Sequence, residues 1–151
     1  MNALTALKIL AVVFAVIIVV LLAVLIFYPG PAKAPTVPAG VISSDGHMAV
    51  TSLKPDGLVA SPLTVTGAVT GGGWFYEATF PVKVLDSDGT ELGVAAAQAQ
   101  ADWTSTGTVP FTAIVQFSAP QGATGTVVLS KDNPSGDPAN DESLSIPVRF
   151  K

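Results

Sequence analysis

Residues 9–28 read ILAVVFAVIIVVLLAVLIFY, twenty positions without a charge, an amide, a proline or a glycine. No other feature limits the fold of this chain as much. A helix of that length, rising 1.5 Å per residue, spans roughly 30 Å, the thickness of a bilayer's hydrocarbon core. A helix packed inside a globular body keeps a polar face, and this run has none. It predicts a single transmembrane helix over 9–28, with the lipid bilayer as its partner. A cleaved signal peptide would have an apolar stretch of about 7–15 residues ending at small side chains. This run is longer and ends in Ile26, Phe27 and Tyr28. The small-residue pattern at Ala32-Lys33-Ala34 is followed by Pro35, which hinders cleavage.

Flanking charge sets the direction. Lys8 and the α-amino group lie before the run, and only Lys33 lies close behind it. Positive charge is retained in the cytoplasm, so residues 1–8 are expected as a cytoplasmic leader and the C-terminal part outside the cell membrane. Residues 29–39, PGPAKAPTVPA, carry four prolines. Proline fixes φ and removes a donor, so this stretch is expected to be extended, at about 3.1 Å per residue. With GVISSDGH at 40–47 it makes a flexible, Pro-rich linker over 29–48, in which His47 is a solvated side chain.

Composition excludes several kinds of chemistry. The 151 residues include no cysteine and one histidine, which rules out disulfides, thiol nucleophiles and Cys/His zinc sites. A Ser–His–Asp set needs a positioned histidine, and the sole one falls in the linker. The net charge of −4 argues against nucleic acid as a partner. From residue 49 onward five basic residues face ten acidic ones, a net −5, so anionic headgroups or wall polymers would need bridging cations to bind there.

From residue 49 the pattern turns to period two, the mark of strands with one buried face. Leu144, Ile146, Val148 and Phe150 alternate with Ser143, Ser145, Pro147 and Arg149. Leu63, Val65 and Val69 share a parity, as do Phe80, Val82 and Val84, and Phe111, Ala113, Val115 and Phe117. Turn signals punctuate these runs, and Asp88-Gly89 is a hairpin signal because both residues tolerate positive φ. Strands are predicted at 49–54, 63–69, 75–86, 90–101, 110–118, 124–131 and 142–150. About seven short antiparallel strands without an amphipathic helix predict an immunoglobulin-like β-sandwich over 49–151. A small jelly roll or open barrel is the second choice.

Several stretches taken together resemble a known family. SPLTVTG (61–67), WFYEATFPVKVLDSDG (74–89), AQAQADW (97–103), VPFTAIVQF (109–117), TGTVVLSKDNPSG (124–136) and IPVRF (146–150) are similar, in order, to the immunoglobulin-like domain of bacterial spore germination. The resemblance implies a β-sandwich at the cell envelope. It carries over no catalytic residue, and a chain of this length has no room for the larger germination domain that this module accompanies elsewhere.

The strongest polar constellation is DNPSGDPANDE at 132–142. Asp132, Asp137, Asn140, Asp141 and Glu142 supply the hard oxygen ligands that calcium takes; no cofactor is expected, and calcium here is the alternative to a capped, solvated loop. Pro138 and Ala139 fall where an EF-hand-like spacing would want ligands, and Asp and Asn also populate loops by capping turns. Asp86, Asp88 and Glu91 flank the predicted hairpin and are read as turn residues, since paired acid/base carboxylates need a cleft. The Gly71-Gly72-Gly73 run has no lysine after it and is not a phosphate loop. Trp74, Phe75 and Tyr76 alternate in parity, so at least one faces outward, as aromatics at protein- or sugar-binding surfaces do.

The expected function is that of a non-enzymatic, membrane-anchored extracytoplasmic module, binding an envelope protein or glycan or acting as a structural element. The alternative is a calcium-dependent carbohydrate-binding or hydrolytic protein using the 132–142 loop.

Overall fold

The computed structural model describes residues 2, 8, 13, 14, 16–18, 40–71 and 73–151. Val13, Phe14, Val16, Ile17 and Ile18 are helical and exposed. The rest of the predicted membrane run, and linker residues 29–39, lie outside the described residues. Among the described residues no helix is long and apolar enough to cross a membrane. Contacts divide the chain into two units, Met1–Thr36 and Val37–Lys151.

The second unit is all-β. Its strands are β1 (Val41–Ile42), β2 (Met48–Val50), β3 (Gly57–Val59), β4 (Leu63–Thr70), β5 (Thr79–Asp86), β6 (Glu91–Ala99), β7 (Thr108–Val115), β8 (Thr124–Ser130) and β9 (Ser143–Phe150), with one 3₁₀ turn at Pro138–Asn140. Period-two alternation produces the long strands as expected. In β9 every second residue is buried, namely Leu144, Ile146, Val148 and Phe150. In β5 the buried set is Phe80, Val82, Val84 and Asp86.

The alternation predicts two separate layers, whereas the strands hydrogen-bond as one nine-stranded sheet in the order β1-β2-β4-β7-β6-β5-β8-β9-β3. The join is β6 with β7, through Gln98↔Thr112 and Ala99↔Phe111. Ser118 N–H donating to the Leu92 carbonyl at 3.0 Å keeps the same register at the far end. Strands β7 and β9 stand four places apart, which on a flat sheet would be about 19 Å. Phe117, just past β7, and Phe150 of β9 nevertheless bring their ring centroids to 5.7 Å. The sheet therefore curls into a half-barrel around one core. Glycines let it curl that tightly. A Cβ at Gly67 would lie 2.2 Å from the Ala49 carbonyl oxygen, and one at Gly125 would lie 2.5 Å from the Phe150 ring.

Two other differences concern the short strands. Residues 40–48, expected as linker, belong to the folded body. Strand β1 pairs with β2, Ser43 is buried and Met48 is wholly inaccessible. The linker reading failed because two paired residues are too few to show a period. Strand β3 pairs with β9 in parallel, at the sheet edge, where an antiparallel set was expected.

Candidate functional site

The half-barrel has two unlike ends. Turns 43–47, 71–78, 100–107 and 131–142 gather where β4, β6 and β8 finish. They carry Asp45, Glu77, Asp102, Asp132, Asp137, Asp141 and Glu142 against a single cation, Lys131. At the other end Lys54, Arg149 and Lys151 accompany Asp56, Asp86 and Asp88, while the β5–β6 pair Lys83–Glu91 is internally neutral at 2.9 Å. The excess negative charge of the domain thus sits at one end.

Asp45 fastens the acidic end. Its carboxylate accepts from the Ser43 hydroxyl, from His47 N–H at 2.8 Å and from the Trp74 indole N–H at 3.3 Å. Desolvation opposes the charge, but the donors from Ser43, His47 and Trp74 outweigh it and hold the Asp45 pKa at about 2, below its ordinary 3.8. His47 is exposed, as expected of a solvated side chain, but its ring has a partner in the folded body. Its Nδ1 lies 3.1 Å from the Thr70 carbonyl oxygen.

The aromatic triplet is split. Trp74 and Phe75 are buried at 1% and 5% exposure, packing against Phe80 with centroids 6.2 and 5.2 Å away. Tyr76 alone reaches the surface, at 45%. Beyond it the chain reverses in two residues, Glu77 at φ 49° and Ala78 at φ 65°, closed by Tyr76 N–H to Thr79 O and Thr79 N–H to Tyr76 O, both 3.0 Å. This is a primed hairpin turn without the Asn or Gly that it normally uses, which is why the predicted strand 75–86 begins only at Thr79.

In the 132–142 loop two of the carboxylates, Asp137 and Asp141, are engaged in holding the loop itself. Asp137 caps the 3₁₀ turn through Ala139 N–H at 3.0 Å. The Asn133 amide donates to the Asp137 carbonyl at 2.8 Å and to the Asp141 carboxylate at 2.7 Å. Asn140 turns to the Ser135 hydroxyl at 3.2 Å, Glu142 accepts from the Ser44 hydroxyl at 3.4 Å, and Asp132 is tied by its backbone to the Trp74 carbonyl at 3.1 Å. Among the described residues no three carboxylates or histidines gather as metal ligands would.

At the opposite end Asp86 is buried and accepts from Gln121 N–H at 2.8 Å and Ser87 N–H at 2.7 Å, which lowers its pKa. It locks the β5–β6 turn to the β7–β8 connection. Asp88 caps Thr90 N–H at 3.0 Å, and Glu91 holds Lys83.

The sequence reading did not single out the outer face of β5, β6 and β7. There Val94 is 51% and Ile114 60% exposed. The β5–β6 register sets Pro81 opposite Ala96 and Lys83 opposite Val94. A groove of about 450 Å³ runs along this face, lined by Thr79, Pro81, Val94 and Ala96 with Asp132 at its wall. Proline explains the groove. Ala78 accepts from Ala99 N–H, so the even residues of β5 direct their backbone to β6 and the odd ones, Pro81 among them, to β8. Pro81 has no N–H to give, and the β5–β8 ladder stops one residue away, at Val82↔Leu129. The signal was present in the outward parity of Val94, Ala96 and Ile114.

A model of the family described as the immunoglobulin-like domain of bacterial spore germination matches residues 47–137. Neither a curated protein nor a solved structure gives a significant match.

Proposed function

Since the chain belongs to the family of immunoglobulin-like domains of bacterial spore germination, we propose that it works as a non-catalytic module held at the outer side of the cell membrane, binding or bracing another envelope component. The apolar run 9–28 supplies the anchor and residues 29–39 the spacer. The observation that carries the non-catalytic reading is how the polar groups are used. Asp45, Asp86, Asp102 and Asp137 each accept hydrogen bonds from their own turns or from the neighbouring connection. A general acid or base needs a pKa poised near the working pH, and the pKa values of Asp45, Asp86 and Asp102 are shifted downward, away from it. Against the calcium-dependent alternative, Asp137 and Asp141 spend carboxylate oxygens on hydrogen bonds within the loop.

Fractionation tests the anchor. The full chain is expected in the membrane pellet after alkaline carbonate, and in the supernatant only after detergent. Release by carbonate would remove the anchored reading.

A further inference from the structure

Resting on the reading of this chain as an envelope-facing binding module, we infer that the outer-face groove of β5 and β6 receives an extended protein segment carrying apolar side chains next to a lysine or arginine. Two observations combine. The first is the apolar floor. Pro81, Val94, Ala96 and Ile114 all face outward, and the two largest of them are more than half exposed. The shared register at both ends of β6–β7 puts Ile114 of β7 across from Ala96, beside the groove and outside its lining. From Thr79 to Lys83 the patch is about 13 Å long, enough for roughly four extended residues.

The second observation is charge. Asp132 forms the groove's wall at the acidic end, and Glu77 stands in the exposed turn just before β5. The cation on the groove's own strands, Lys83, is neutralised by Glu91. An incoming segment thus meets apolar surface along its middle and, at one end, Asp132 and the acidic turns in which seven carboxylates face the single cation Lys131. An apolar-plus-cationic segment complements both, whereas an acidic segment is repelled. The hydrogen-bonding groups on this face, Thr79, Gln98 and Thr112, lie toward its acidic end, leaving the stretch from Pro81 to Val94 apolar.

The test is a methyl-NMR titration of the full chain in lipid nanodiscs with three synthetic peptides: Lys-Ile-Val-Leu-Lys, its Glu-flanked counterpart, and Lys-Ser-Gly-Ser-Lys. The first is expected to shift the Val94 and Ile114 methyl signals, and the other two to leave them in place. Asp132→Asn and, separately, Ile114→Ser should each weaken the first peptide about tenfold. Ile114 is exposed and Asp132 half-buried, and the remaining spectrum reports whether the fold is kept; Val94→Thr replaces Ile114→Ser if it is not. No shift at Val94 and Ile114, or an equal response to the Glu-flanked peptide or to Lys-Ser-Gly-Ser-Lys, overturns the inference. Any of these can occur while the chain still fractionates with the membrane, so the groove can fail without the module reading failing.

Discussion

The two ends of the half-barrel are each fastened by an aspartate, but by different means. At one end Asp86 is buried and satisfied by the backbone N–H groups of Gln121 and Ser87, donors that almost any residue supplies. At the other end Asp45 is exposed and depends on named side chains, the Ser43 hydroxyl and the Trp74 indole, besides His47 N–H. A clamp on backbone donors tolerates sequence change around it. One built on side chains ties the N-terminal turn to a core tryptophan and fails when either partner is replaced. The balanced end is thus closed generically and the acidic end specifically. The acidic end is also the one that carries the excess charge and the exposed Tyr76.

Substitutions can break this contrast. The largest effect is expected from Trp74→Ala, which removes a buried ring from the Phe75–Phe80–Phe111 cluster together with the donor to Asp45. It should cost about 3–5 kcal/mol in denaturant unfolding. Gly125→Ala probes the other end, where the new methyl meets the Leu85 carbonyl oxygen at 2.3 Å and the Phe150 ring. Overpacking there should cost about 1–3 kcal/mol. A change of sign is expected in the turn after Tyr76. Glu77→Asn with Ala78→Gly suits the positive φ values that these residues already adopt, and should stabilise by about 1 kcal/mol. If the pair destabilises, the turn is not strained as described.

Acid should separate the ends least, but in a definite direction. The folded-state pKa of Asp45 lies at about 2, below its ordinary 3.8. Its contribution is therefore fully present above the ordinary value and is lost as pH falls from 3.8 toward 2. Asp86 is lowered in the same sense. Melting temperature should be flat above that window and fall within it. Asp45→Asn should remove part of the fall and leave the part that belongs to Asp86.

The strands were legible because burial on one face writes a period of two into the sequence, as Leu144 to Phe150 and Phe80 to Val84 do. The hairpin at Asp88-Gly89 was legible for its turn chemistry, and the family for its ordered segments. What stayed hidden depends on contacts far apart in the chain. Strand β1 has two residues and no period. The β6–β7 join that turns two expected layers into one curled sheet brings Gly93 of β6 to where a Cβ would lie 2.3 Å from the Gln116 carbonyl oxygen, and nothing local marks that glycine. The candidate site was half legible. Acidic residues in the 132–142 loop stood out and capping was expected of them, as Asp137 does for Ala139 N–H, but the ties through Asn133 and Ser135, which looked inert, were not legible. Tyr76 separates from Trp74 and Phe75 because Glu77 and Ala78 take a conformation that their own propensities disfavour.

The central claim is that the curled β-body works outside the cell membrane. The chain has no cysteine of its own, so a single Thr106→Cys, on an exposed turn at the acidic end, provides one reactive thiol. A membrane-impermeant maleimide added to intact cells should label it to the same extent as after lysis; labelling only after lysis would contradict the account.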